Sequence, residues 1–178
     1  MIPDTELVRR AREGDGTAFE ALVGPHVEAA WRFAATMLRD PEEARDAVQE
    51  AAFKAFRKLG QLRDGSPVRP WFFAIVANQC RSMRRARWWT VVRLPELPVG
   101  SDGAGPPDER AVGVLDLRQA LAALGQQDRM VLYLFYFLDL PQEEVAQIMG
   151  ISTAAVKARV HRVVRRLRPA LEVEERLV

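Results

Sequence analysis

Cysteine is almost missing from this chain, with Cys80 alone among 178 residues, which excludes an internal disulfide framework and a Cys/His zinc cluster. Histidine is nearly as scarce, since only His26 and His161 occur and they lie far apart. A metal site would need carboxylates, for which no ligand spacing is visible, and none is expected. The chain contains no apolar run of the roughly 18 residues that a membrane helix needs. Its amino terminus shows no basic start followed by an apolar segment and a cleavage site. A soluble, cytoplasmic protein is therefore expected. Gly-rich phosphate loops, nucleophile elbows and metalloprotease His pairs are also absent. An enzyme has no chemistry to stand on here, so neither catalytic residues nor a cofactor are assigned.

What the chain does have is charge, unevenly placed. The formal net charge is only +2, yet residues 63–93 carry seven arginines against Asp64 alone, and residues 153–168 carry six Lys or Arg and no acid. Each window nets +6, which leaves −10 for everything else. Concentrated positive charge marks a surface for a polyanion such as nucleic acid, the alternative being two solvated basic faces.

Helical punctuation runs through the first half, and no strand pattern interrupts it. An amphipathic segment from Thr5 to Glu13 ends in the Gly14-Asp15-Gly16 turn. Thr17 and Glu20 read as a capping box for a helix reaching Leu38, with Phe19, Leu22, Val23, Val27, Ala30 and Phe33 at helical spacing. Asp40 is a good N-cap and Pro41 suits the first position of a third helix reaching Leu59. After a loop with Gly60, Gly65 and Pro67, Pro70 opens a fourth helix ending at Arg84-Arg85.

From Leu94 to Pro107 half of the residues are Gly or Pro, a composition that cannot order itself alone. Beyond it, Leu115, Leu117, Leu121 and Leu124 mark one helix, and Met130, Val131, Leu134, Phe135 and Leu138 another. The sharpest pattern spans Gln142 to Val163 and reads as a helix-turn-helix. Ala146 is small where two helices must approach, Gly150 sits where the turn needs a positive φ, and Ser152 caps the second helix. The fold class is thus all-α, with two small helical domains of four helices each: residues 1–93, an acidic Gly/Pro-rich flexible linker over 94–110, and residues 111–178 with the helix-turn-helix. Pro169 is expected to end or kink the last helix.

A four-helix basic domain, an acidic linker and a helix-turn-helix in this order resemble the extracytoplasmic-function (ECF) group of bacterial sigma factors along nearly the whole chain. The resemblance implies partners: core RNA polymerase, promoter DNA and an anti-sigma protein. Asp46-Ala47-Val48-Gln49-Glu50 is similar to the family segment that docks on the polymerase, which places Asp46, Gln49, Glu50 and Phe53 on one helical face. The other reading of Phe53 is a core side chain. At the position of Ala52 the family usually carries a bulky aromatic, and Phe53 is the candidate to refill that space.

The stretch Trp71-Phe72-Phe73-Ala74-Ile75-Val76-Ala77-Asn78 looks like the family helix that meets the melted minus-ten element, preceded by a loop from about Arg63 to Arg69 that holds a flipped base. The resemblance assigns minus-ten contacts to Arg63, Ser66, Arg69, Trp71, Asn78, Arg81, Arg84 and Arg85. Cationic grooves, aromatic faces and side-chain amides suit unstacked bases and their phosphates, although aromatics at helical spacing more often pack inward. In the second domain the resemblance sends the helix from Thr153 to Arg168 into the major groove of the minus-thirty-five element. Lys157, Ala158 and His161 then face bases, with Thr153 at the helix start and Arg159, Arg162, Arg165 and Arg166 toward phosphates. Two other readings stay open at this point: a dimeric repressor or activator using the helix-turn-helix alone, and a decoy that sequesters a regulator.

Overall fold

The computed structural model describes residues 2–93, 119–121 and 123–175. Every regular element among them is helical. Helix α1 (Asp4–Arg12) carries its acids in the first turn and its arginines in the last, as the helix dipole favours. It buries Leu7, Val8 and Ala11 against Ala18, Leu22, Leu59, Leu62 and Val68 in a small core of its own.

Helix α2 (Gly16–Leu38) starts one residue before the expected cap. Its N-cap is Asp15, whose carboxylate accepts from the Ala18 amide at 3.1 Å. Thr17, expected to cap, instead donates its hydroxyl to the same carboxylate at 2.5 Å. With Arg10 adding a 2.6 Å ion pair, these contacts hold the Asp15 carboxyl well below its usual range. An ionised Asp accepts better than a hydroxyl, which explains the shift of cap. Val27, read as a core position, is exposed.

Helix α3 (Pro41–Lys58) begins as expected, with Asp40 accepting from the Glu42 and Glu43 amides at 2.9 and 3.0 Å. A single 3₁₀ turn (Leu59–Gln61) tightens its end. Helix α4 (Val68–Arg93) starts two residues before Pro70 and passes through Arg84-Arg85. Pro70 is tolerated because the first-turn amides have no intrahelical acceptor. Nothing at Arg84-Arg85 breaks a helix, since both are good helix formers.

In the second half, α5 (Gln126–Leu132) continues into one π-helical turn (Tyr133–Phe137), which the periodicity alone did not distinguish from α-helix. Helices α6 (Gln142–Met149) and α7 (Thr153–Glu175) form the helix-turn-helix. Gly150 has φ +68 between them, and Ser152 Oγ accepts from the Ala155 amide at 3.2 Å. Helix α7 continues past Pro169 to Glu175, so Pro169 does not end it. The expected linker over 94–110 and the helix start at Leu115 and Leu117 lie outside the described residues.

The halves are not separate bodies. One continuous core joins Phe33, Met37, Phe72, Phe73 and Val76 of the first half to Met130, Leu134, Val145 and Ile148 of the second, all buried. Phe33 meets Tyr133 edge to face at 5.6 Å across the seam, a geometry aromatic pairs prefer. Arg129 reaches back to the Thr36 carbonyl at 3.2 Å while also donating to the Leu124 carbonyl at 2.8 Å.

Candidate polymerase and promoter interface

Three surfaces carry the residues singled out from the sequence. On α3, Asp46, Gln49, Glu50 and Phe53 are all exposed. They line one depression of about 440 Å³, whose other wall is Gln79 and Met83 of α4. Lys54 ties the two helices together, with its ammonium 3.3 Å from Glu50 and 2.6 Å from the Gln79 amide oxygen. Phe53 is 57% exposed with the Arg57 guanidinium 5.7 Å from its ring centroid. Phe53 therefore stays out of the core and does not refill the space beside Ala52. That space remains open as a cavity of about 500 Å³ walled by Trp31, Val48 and Gln49. Gln79 and Met83 were missed from the sequence, although their four-residue spacing puts them on one face of α4.

The second surface is the loop before α4 together with α4 itself. Arg63 is exposed and Ser66 half-buried, on a turn closed by the Ser66 amide donating to the Arg63 carbonyl at 3.0 Å. Phe72 and Phe73 are fully buried, so they belong to the core, while Trp71 packs half-buried at its edge. Asn78 is exposed, as are Arg84 and Arg85. The Arg84 guanidinium lies 3.4 Å from the Met37 carbonyl. Two arginines of this group face inward to the second half. Arg69 donates to the Leu138 carbonyl at 2.6 Å. Arg81 donates to the Ile148 and Met149 carbonyls at 3.1 and 3.3 Å. Those two carbonyls belong to the last turn of α6, where acceptors are left over and the dipole is negative. Arg81 is half-buried, and burial lowers its pKa from an arginine's usual value.

The third surface is α7. Thr153, Lys157, Ala158, His161, Arg162 and Arg165 are exposed, while Val156, Val163 and Leu167 are buried beneath them. Arg159 stands apart: it is half-buried and paired with Asp128 at 2.9 Å, which pins α7 to α5. Arg166, exposed, lies 3.3 Å from the Ala123 carbonyl. Two exposed aromatics that the sequence reading passed over are Tyr136 and Phe137 of the π-helical turn, the latter stacked on Tyr133 at 5.2 Å.

Cys80 is buried, and burial pushes its thiol up to about 12, which leaves too little thiolate for redox chemistry near neutral pH. Among the described residues no cluster of three or more His, Cys, Asp or Glu could hold a metal, and no helix is long and apolar enough to cross a membrane.

A basic helix-turn-helix packed on a helical domain with an exposed acidic face is the arrangement expected of a transcription initiation factor of the sigma-70 type, and comparison with known proteins shows that family. Residues 22–90 match the family model for sigma-70 region 2, and residues 115–167 match that for sigma-70 region 4. The ECF RNA polymerase sigma factor SigL of Mycobacterium tuberculosis is 31% identical over 93% of this chain and 95% of its own. The ECF sigma factor ShbA of Streptomyces griseus is 32% identical over 93% and 94%. The chain belongs to the ECF RNA polymerase sigma factors, which are initiation factors and not enzymes. Among solved structures it is similar to the sigma factor RpoE in complex with the anti-sigma factor NepR from Bartonella quintana, with a TM-score of 0.72 and 26% identity over 88% of this chain and 98% of that one. It also shares the fold of CnrH in complex with the cytosolic domain of CnrY, with a TM-score of 0.70 and 24% identity over 96% and 98%.

Proposed function

We propose that this sigma factor docks on core polymerase through the α3 face of Asp46, Gln49, Glu50 and Phe53, and anchors α7 in the major groove of the minus-thirty-five element. It then captures melted minus-ten bases with the 63–69 loop and α4. The division of labour follows residues 1–93 and 111–178, with 94–110 between them. It acts where RNA polymerase acts, in the cytoplasm. The observation that carries the reading is the α7 surface. Behind a turn held by Gly150, the helix exposes Lys157, His161, Arg162 and Arg165 with no acid among them, the layout of a helix that enters a major groove.

No bond is made or broken by this chain. Polymerase fixes the spacing of two weak DNA contacts, so that the second becomes effectively intramolecular. Trapping an unstacked base then offsets the cost of strand opening. Arg69 and Arg81 enter this scheme only once the halves part, because both are engaged by carbonyls of the second half. The match to RpoE in complex with NepR extends across both halves in one superposition, which supports the closed arrangement as the form an anti-sigma factor would hold. The deciding experiment mixes the full chain with sigma-free core polymerase and a promoter library. Discrete run-off transcripts that depend on this chain are expected. Their absence from every promoter would defeat the reading.

A further inference from the structure

Helix α1 has no part in the scheme above, yet it walls a cavity beside the loop that is read as the base trap. The cavity measures about 370 Å³ and lies between α1 and residues 62–68, with Thr5, Val8 and Arg9 on one side and Asp64 and Ser66 on the other. Its volume is that of a small-molecule pocket, typically about 300–1,000 Å³. Hydroxyls and carboxylates at its rim match the hydrogen-bonding edge of a nucleobase.

One side chain sets the geometry of this cavity. Arg12, in the last turn of α1, sends Nη2 to the Leu62 carbonyl, Nε toward the Leu59 carbonyl at 3.4 Å and Nη1 to Asp64 at 2.7 Å. Leu59 opens the 3₁₀ turn and its carbonyl also accepts from the Leu62 amide at 3.2 Å, while Leu62 is the first residue past the turn, so the guanidinium grips the turn at both ends. Leu62 and Val68 are buried anchors on either side, and Gly65 turns between them with φ +75. A planar fork that meets three acceptors at once fixes the path of this loop in a way a flexible ammonium does not. Arg9 cannot substitute, because Glu6 and Glu13 hold it at 2.7 Å each.

We infer that Arg12 is a positioning residue for base capture, holding the 62–68 loop so that it and α1 form the two walls of the receptacle for one unstacked promoter base. This rests on the reading of the loop as the base trap. It does not require Arg12 to touch DNA.

The test uses polymerase holoenzyme carrying the full chain and single-stranded oligonucleotides spanning the minus-ten element, each with one base removed. The wild type is expected to lose about tenfold in affinity at one position, the scale of one stacked base. In Arg12→Ala and Arg12→Lys that loss should shrink below about twofold, with sensitivity elsewhere, core affinity and salt slope unchanged. A wild type without any base-sensitive position overturns the base-trap reading and this inference with it. A sensitive position that Arg12→Ala leaves intact overturns the positioning role alone. Should Arg12→Ala fail to fold, Arg12→Lys decides, since a lysine variant indistinguishable from wild type would make Arg12 only a charge.

Discussion

Arg81 crosses between the halves with two nitrogens on backbone carbonyls and its Nε without a partner among the described residues. An unpaired buried donor costs on the order of 1–3 kcal/mol, a cost that Arg159 shares, because its Nε is also without a partner although its Nη1 is paired with Asp128. Near Arg69 lies His26, half-buried, whose pKa is lowered first by burial and then by the Arg69 charge, with Asp4 opposing. An imidazole held below its usual 6.5 takes up a proton more readily in the unfolded chain. Its contribution to stability is therefore complete above the unfolded value and lost as pH falls through the folded one. Thermal unfolding followed from about pH 7 to about pH 5 should show stability falling, and His26→Gln should flatten that slope. Equal slopes in both proteins would assign the effect to other groups. The exposure of Asp46, Glu50 and Lys157 was legible because a helical face follows from spacing alone. The engagement of Arg69, Arg81 and Arg159 was not, because no local pattern names an acceptor 31 to 69 residues away.

At the level of elements, helix starts were readable wherever side-chain chemistry is decisive, as at Asp40-Pro41 and Ser152, and misread where two caps compete, as at Asp15 and Thr17. Helix ends were harder to place. Helix α4 outruns its predicted end and α7 outruns Pro169, since good helix formers continue until something stops them. The π-helical turn over Tyr133–Phe137 was invisible because its apolar residues suit α-helical spacing equally well. Under the proposed reading, with Arg159 held by Asp128, the phosphate contacts of α7 would fall to the exposed Arg162, Arg165 and Arg166, while Lys157 stands one turn nearer the helix start. In holoenzyme at fixed salt, Lys157→Ala should relax preference at one or two minus-thirty-five positions by ~1–3 kcal/mol against the mismatched base. Arg162→Ala should instead weaken all sequences alike and lower the salt slope by about one. If the two variants exchanged these signatures, α7 would sit rotated in the groove.

For the whole molecule, the sequence reads as two helical domains with a linker and leaves open whether they pack together, because hydrophobic periodicity reports that a face is buried but not what buries it. The structure packs them on one another, with Phe33, itself packed on Phe73, meeting Tyr133 across the seam. The α3 face is exposed in the closed chain, so closure bears on polymerase only through a binding mode that uses both halves apart; in that mode a chain open about one-tenth of the time would bind about tenfold more weakly. Arg129 offers a way to shift that balance without touching any residue assigned to DNA or polymerase. Its half-buried guanidinium spans the seam to the Thr36 carbonyl, and burial lowers its pKa, with the Arg39 and Arg84 charges adding to the shift. Arg129→Gln shortens the reach and leaves that carbonyl unpaired, so the closed form should lose on the order of 1–3 kcal/mol. Small-angle scattering of the wild type should give a radius of gyration close to the ~16 Å of one compact body of this length, and the variant should be larger. Its apparent affinity for core polymerase should rise several-fold even though its unfolding temperature falls, a combination that simple destabilisation does not produce. If Arg129→Gln scatters like the wild type and binds core no better, the seam does not gate access to polymerase.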